Sequence, residues 1–171
     1  GGSKVPTFLK RCRRTTSWQI VDAVFEKVGV VKKISKVYKT PALGFEGDDF
    51  YNACIKVETE LKPKSVLKEL KAIEFKLGRK TKTSEIYESR EIDLDILLFD
   101  DEVLNDSNLV IPHPHMQKRK FVLQPLLDIT KEVEHPVLKF TIESLLDHCE
   151  DTSVIEPVNI WLKSPKRHYN F

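Results

Sequence analysis

The sequence of 171 residues contains no apolar run approaching the roughly 18–20 residues of a membrane span, and no secretory pattern opens it. Cysteine is scarce. Three residues, an odd count without framework spacing, fit reduced thiols in the cytoplasm and not a disulfide scaffold. An excess of either charge is also missing: 28 Lys and Arg stand against 26 Asp and Glu, a formal net charge of +2. That balance argues against wholesale nucleic-acid binding, which needs a clear basic surplus. None of the glycine-rich or nucleophile motifs GxxxxGK[ST], GxGxxG and GxSxG occurs, so any nucleotide has to be held by side chains and metal ions. Internal repeats and low-complexity tracts are absent as well. What is present is 40 % hydrophobic and 32 % charged, an ordinary globular composition. A chain of this length buries about two-thirds of its unfolded surface and needs no covalent staple.

The first seventeen residues have no clear strand pattern. Lys10, Arg11, Arg13 and Arg14 form a basic cluster that reads as solvated surface, with phosphate binding as the minority reading. From Ser17 the period is helical: Trp18, Val21, Val24, Phe25 and Val28 recur at steps of three and four, and Gly29 stops the run. Residues 30–40 and 50–61 read as two paired strands separated by a Pro- and Gly-containing loop. Pro63 opens a second helix in which Val66, Leu67, Leu70, Ile73, Glu74 and Leu77 share a side, closed by Gly78. Residues 79–90 form a long polar loop of the kind that binds something. Residues 91–100 are the strongest strand, 140–148 a last helix and 154–162 a terminal strand. Helix, two strands, helix, strand is the βαββαβ order less its first strand. It predicts an α+β, ferredoxin-like antiparallel sheet with flanking helices on one face, the first strand degenerate or missing.

The chemistry concentrates at Asp93-Leu94-Asp95. Alternation puts Asp93, Asp95, Leu97 and Phe99 on one face, and Ile92, Leu94, Ile96 and Leu98 on the other. Two carboxylates on one half-buried face repel unless a cation joins them, and a hard cation completed by water and phosphate oxygens suits that pair. Arg90, Arg79, Lys80 and Lys82 stand just upstream, as a polyphosphate would require. Pro112-His113-Pro114-His115 precedes Arg119 and Phe121. A short helix from Pro114 would place His115 and Arg119 on one side. A zinc site from these histidines with His148 and Cys149 lacks paired-ligand spacing.

Five blocks, in order, resemble the 6-hydroxymethyl-7,8-dihydropterin pyrophosphokinase family. They are Tyr38-Lys-Thr40-Pro41-Ala-Leu43-Gly44, Phe50-Tyr-Asn52-Ala, Leu77-Gly78-Arg79, Arg90-Glu-Ile-Asp93-Leu-Asp95, and Pro112-His113 through Arg119-Lys-Phe121-Val-Leu-Gln-Pro125-Leu126. The resemblance implies transfer of diphosphate from ATP to the pterin's hydroxymethyl group in folate biosynthesis, giving AMP. Two Mg²⁺ ions would sit on Asp93 and Asp95. With these carboxylates, Arg79 and Arg90 would form the catalytic set. Glu74, Arg79, Arg90, Ile96, His113 and Arg119 would bind ATP. Thr40, Pro41, Leu43, Phe50, Asn52 and Phe121 would bind the pterin, the two phenylalanines sandwiching it. Small-molecule substrates, the cytoplasm, and no nucleic-acid or membrane partner complete that expectation.

The sequence departs from the family pattern at its start, where residues 5–17 do not match the usual apolar strand, and at Thr81, Tyr87 and Ser89 in the loop. Residues 1–17 therefore read as an atypical N-terminal segment before a single pyrophosphokinase-like domain, 18–171. Two alternatives stand beside this reading. One is a non-catalytic nucleotide- or pterin-binding relative inactivated by the altered N-terminus. The other is an RNA-binding ferredoxin-like domain, against which the basic residues are scattered and no base-stacking aromatic pair is evident.

Overall fold

A computed structural model describes residues 2–12, 18–40, 49–78, 92–159 and 167 of the chain. In chain order the elements are β1 (Pro6–Cys12), α1 (Trp18–Lys27), β2 (Val30–Ile34), β3 (Val37–Thr40), β4 (Phe50–Glu58), α2 (Pro63–Gly78) and β5 (Ile92–Phe99). There follow β6 (Leu104–Asn105), β7 (Val110–Ile111), a 3₁₀ turn at Met116–Lys118, α3 (Lys120–Thr130), α4 (Ile142–Asp147) and β8 (Glu156–Val158). Six strands form one sheet in the order β5-β1-β4-β3-β8, with β2 also against β4, and all of its pairings are antiparallel. β6 and β7 make a separate two-stranded ribbon.

β1 overturns the expectation of a degenerate or missing first strand. It runs through the middle of the sheet, Thr7 to Cys12 facing Lys56 to Tyr51 of β4 on one side and β5 on the other. Its pattern was hidden because the inward positions read Phe8, Lys10, Cys12. A lysine in the middle breaks the apolar alternation that marks a strand. Lys10 is nonetheless 0 % exposed. The basic cluster is therefore not a solvated surface at Lys10, nor at Arg11, which is half-buried; Arg13 and Arg14 lie outside the described residues.

Helices cover both faces of the sheet, not one. Phe8, Ala53, Ile55, Val57, Leu94 and Ile96 pack with Ile20, Val21 and Val24 of α1 and Val66, Leu70 and Ile73 of α2. On the opposite face Cys54, Leu97 and Leu98 pack with Val122, Leu123 and Leu126 of α3 and Ile142 of α4. The presence of both Leu97 and Leu98 in this second cluster reports a β-bulge. The β1–β5 register shifts between Thr7, opposite Leu98, and Phe8, opposite Ile96, leaving Leu97 over. Beyond the bulge the alternation inverts, so Phe99 joins the α1–α2 core and not the face of the aspartates, while Leu98 takes that face.

The continuous strand expected over 30–40 breaks at Ser35 and Lys36. Ser35 Oγ accepts the Cys54 N–H at 2.8 Å, and Ser35 N–H donates to the Cys54 carbonyl at 2.9 Å, so a side chain replaces one rung of the ladder. Of the terminal strand expected over 154–162, the described residues form the short β8, which extends the β3 edge; residues 160–162 lie outside the described residues. Near the end of the chain, Arg167 pairs with Asp22 and Glu26 of α1 and stacks on Phe25 at 4.5 Å.

The turn from α1 into β2 crosses the β4 backbone closely. A Cβ on Gly29 would overlap the Glu58 carbonyl oxygen and come within 3.0 Å of its carbon. Gly29→Ala is expected to cost about 2–3 kcal/mol in chemical denaturation, because the obstacle is main chain and cannot rotate away. Burial lowers the Lys10 pKa from 10.5 to about 8. Between those values the unfolded chain holds a proton that the folded chain releases, so stability should rise with pH from about 8 to 10.5. Lys10→Met removes the titrating group, so the stability of that variant should not follow this rise. Denaturation curves at several pH values should show the rise above pH 8 in the parent and not in this variant.

Candidate active site

The sheet register assembles the site. Arg11 of β1 lies opposite Asn52 of β4 and opposite Asp93 of β5, and Asn52 in turn lies opposite Tyr38 of β3. Directly paired residues share a face, so Asp93, Arg11, Asn52 and Tyr38 form one row across four strands on the α3 side. Asp95 stands two residues along β5 on that same face, ahead of the bulge. Both aspartates are half-buried. Burial and the neighbouring Asp93 raise the pKa of Asp95, while Lys71, Arg119 and Arg11 pull it back.

Phe50 begins β4 and Phe121 lies in the first turn of α3. Their rings are brought together over the end of β1, with the guanidinium of Arg11 between them, 3.8 Å from the Phe50 centroid and 4.8 Å from that of Phe121. Beneath this slot Asn52 is 0 % exposed. Its Nδ2 donates to Thr40 Oγ1 at 3.1 Å, and its Oδ1 has no hydrogen-bond partner among the described residues. A buried acceptor left open beside a flat aromatic slot is what a planar ligand with ring N–H groups would complete.

Two attachments fix Phe121 relative to the sheet. Asp128 of α3 accepts from the Tyr38 hydroxyl at 2.9 Å and the Lys36 N–H at 3.2 Å. Burial first, and then this bond, push the Tyr38 pKa up to about 12. At the other end of the helix, Asp151 accepts the Lys120 N–H at 3.0 Å, so the segment after Cys149 caps the turn that presents Phe121.

The His113 N–H donates to the carbonyl of Leu97, the residue that the bulge leaves without a β1 partner, at 2.9 Å. His113 Nδ1 accepts from the His115 N–H at 3.2 Å. Burial lowers the His113 pKa, helped by Arg119 and His115. The imidazole is thus neutral at pH 7 with its proton on Nε2, a donor for an oxyanion. Arg119 acts electrostatically on both Asp95 and His113 and stands 5.8 Å from the Phe121 centroid. The expected helix joining His115 to Arg119 does not form. A 3₁₀ turn intervenes, and Arg119 itself is extended at φ −124°, ψ 109°.

Two other expected residues lie away from this face. The Ile96 side chain is in the α1–α2 core, so only its main chain remains for a ligand. Glu74 is buried on α2, its Oε2 accepting the Leu94 N–H at 2.9 Å and its Oε1 paired with Lys71 at 3.1 Å. Arg79, Arg90, Pro41 and Leu43 lie outside the described residues, as do Thr81, Tyr87 and Ser89. Among the described residues no group of three or more His, Cys, Asp or Glu is placed to hold a metal. No helix among them is long and apolar enough to cross a membrane. The site residues that sequence reasoning missed are Arg11, Asp128 and Asp151, which act through partners far along the chain. Only the alternation of Phe8 and Cys12 around Arg11's neighbour Lys10 could have signalled the first of them.

The sequence model of the 7,8-dihydro-6-hydroxymethylpterin-pyrophosphokinase family matches residues 11–131. The chain is 42 % identical over 110 residues to the 2-amino-4-hydroxy-6-hydroxymethyldihydropteridine pyrophosphokinase of Aquifex aeolicus, covering 64 % of this chain and 68 % of that protein. It is 38 % identical over 125 residues to the enzyme of the same name in Bacillus subtilis, covering 71 % and 73 % respectively. It is 40 % identical over 144 residues to the folic acid synthesis protein fol1 of Pneumocystis carinii, covering 81 % of this chain but 19 % of that much longer protein. The fold resembles that of the Plasmodium falciparum HPPK-DHPS crystal structure, with a TM-score of 0.68 at 16 % identity over 85 % of this chain and 44 % of that one. With more than half its length matched, and with Asp93, Asp95, Asn52, Phe50 and Phe121 gathered on one face, the chain belongs to the 7,8-dihydro-6-hydroxymethylpterin-pyrophosphokinase family.

Proposed function

We propose that this chain transfers the diphosphoryl group of ATP to the hydroxymethyl oxygen of 6-hydroxymethyl-7,8-dihydropterin, releasing AMP, as a step of folate synthesis. The observation that carries the reading is the row from Asn52 to Asp93. It separates a slot for a flat ring from a carboxylate pair by two strand spacings, roughly 10 Å, so a bound pterin can extend its hydroxymethyl arm toward the carboxylates. The hydroxymethyl oxygen attacks the β-phosphorus of ATP and the bond from that phosphorus to the α,β-bridging oxygen breaks. AMP leaves with the bridging oxygen, and the hydroxyl proton passes to solvent. Such a transfer asks the protein mainly for positioning and charge neutralisation.

Phe50 and Phe121 stack on the pterin, and the open Oδ1 of Asn52 accepts a ring N–H, with Thr40, Pro41 and Leu43 closing the edge. His113 Nε2 and Arg119 donate to phosphate oxygens, joined by Arg79 and Arg90. Asp93 and Asp95 fit Mg²⁺: two half-buried hard-oxygen ligands repel each other until a cation joins them, and water and phosphate oxygens complete its shell. Held by Asp93 and Asp95, Mg²⁺, two ions by the family resemblance, would supply charge neutralisation for the triphosphate. Ile96 offers main-chain groups at the β5 edge, directed as those of Leu94 are toward Glu74, for the adenine. Glu74 serves ATP by holding that edge strand in place.

The strand order β5-β1-β4-β3, with β2 and β3 counted as one broken strand, supports a ferredoxin-like core. β1 at the centre of that core supports a domain that includes residues 6–12 and weighs against the inactive alternative. We place the protein in the cytoplasm.

Assays with ATP and Mg²⁺ should yield AMP only when the hydroxymethyl-dihydropterin is added; no AMP at saturating substrates would overturn the reading. Asp95→Asn should reduce kcat at least ~100-fold with the circular dichroism spectrum unchanged. Since the Asp95 pKa is raised, the Mg²⁺ concentration giving half-maximal rate should increase as pH falls into the acid range.

A further inference from the structure

We infer that Arg11 is the resident competitor for the pterin slot and thereby sets pterin affinity: its guanidinium, between the rings of Phe50 and Phe121, has to leave before a flat ligand enters. The inference rests on the pterin reading of that slot. A guanidinium is planar, delocalised and weakly hydrated, and it stacks on aromatic faces as a heteroaromatic ring does. Here it takes both faces at once, at 3.8 and 4.8 Å from the two centroids. It is therefore a charged stand-in for the ring system of the substrate.

The surroundings separate a competitor from a true ligand. Arg11 occupies the slot, yet Asn52 Oδ1 beneath it is buried and without a hydrogen-bond partner among the described residues. A pterin satisfies the rings and this acceptor together, so it can displace the side chain. The β1 register also gives the displaced guanidinium a destination, because Arg11 sits directly opposite Asp93 and its long stem allows it to swing off the rings toward the carboxylates. Arg11 thus leaves the slot without leaving the site.

The test is titration of parent and variants with 6-hydroxymethylpterin, followed by the pterin's own fluorescence. Arg11→Ala should bind about tenfold more tightly, the size expected for removing a competing cation–π sandwich. Arg11→Lys, which keeps the charge and loses the plane, should bind about threefold more tightly and covers the case in which the alanine variant fails to fold. Methylguanidinium at millimolar concentration should weaken pterin binding competitively in Arg11→Ala and less in the parent. If Phe50→Ala abolishes binding while Arg11→Ala and Arg11→Lys bind no tighter than the parent, the slot takes the pterin but Arg11 does not compete for it, and the inference falls alone. If parent and variants all fail to bind, Phe50→Ala having nothing to abolish, the pterin reading of the slot falls and takes the inference with it.

Discussion

The register of β1 is the constraint on which the rest of the structure depends. Among the described strands it alone pairs with both β5, which carries the carboxylates, and β4, which carries Asn52 and Phe50. Several independent contacts hold it in place. Phe8 and Cys12 are buried under α1 and α2, Lys4 and Thr59 exchange two main-chain hydrogen bonds of 2.8 Å, and the Val5 N–H donates to Asp100 Oδ1 at 3.2 Å. A slip by one residue would send Arg11 into the α1–α2 core and separate Asp93 from Asn52. The bulge at Leu97 belongs to the same arrangement. It ends the polar part of the aspartate face, turns Leu98 onto α3, and leaves the Leu97 carbonyl for the N–H of His113.

Charge placement follows from that geometry. The chain is nearly neutral overall, yet Asp93 and Asp95 share one face with Arg11 in register and Arg119 nearby. Each cation lowers the cost of keeping a half-buried carboxylate ionised, and each also prepares the face for an anionic substrate. Burial and the adjacent Asp93 outweigh them at Asp95, whose pKa stays raised. The carboxylate pair thus keeps a chemistry suited to a hard divalent cation. On the opposite face Lys10 is the counterexample, a cation held in an apolar layer where burial lowers its pKa to about 8.

Local patterning made some elements legible and left others hidden. β5 could be read because Ile92, Leu94 and Ile96 alternate cleanly with the aspartates, and α2 because its apolar residues keep the helical step up to Gly78. β1 was not legible, since burying a lysine contradicts the pattern from which strands are recognised. The bulge was not legible either: in a run of Ile96, Leu97, Leu98 and Phe99 every residue is apolar, so nothing local marks where the faces exchange. The break at Ser35 depends on a hydrogen bond to Cys54, nineteen residues away. The aromatic slot depends on α3 being fastened to β3 through Asp128 and Tyr38, ninety residues apart. The paired carboxylates were visible two residues apart in one strand, whereas the residue between the aromatic rings became visible only with the sheet assembled.

In the proposed reaction one sheet face brings a pterin hydroxyl to ATP, and the β- and γ-phosphoryl groups move together in a single step. Whether they travel together is read directly by ³¹P NMR of the products formed from ATP, whose α, β and γ phosphorus atoms give separate, mutually coupled resonances. The β- and γ-phosphorus atoms should appear together as a coupled pair in a diphosphate ester of the pterin, with the α-phosphorus in AMP. A pterin monophosphate accompanied by ADP would contradict this reaction.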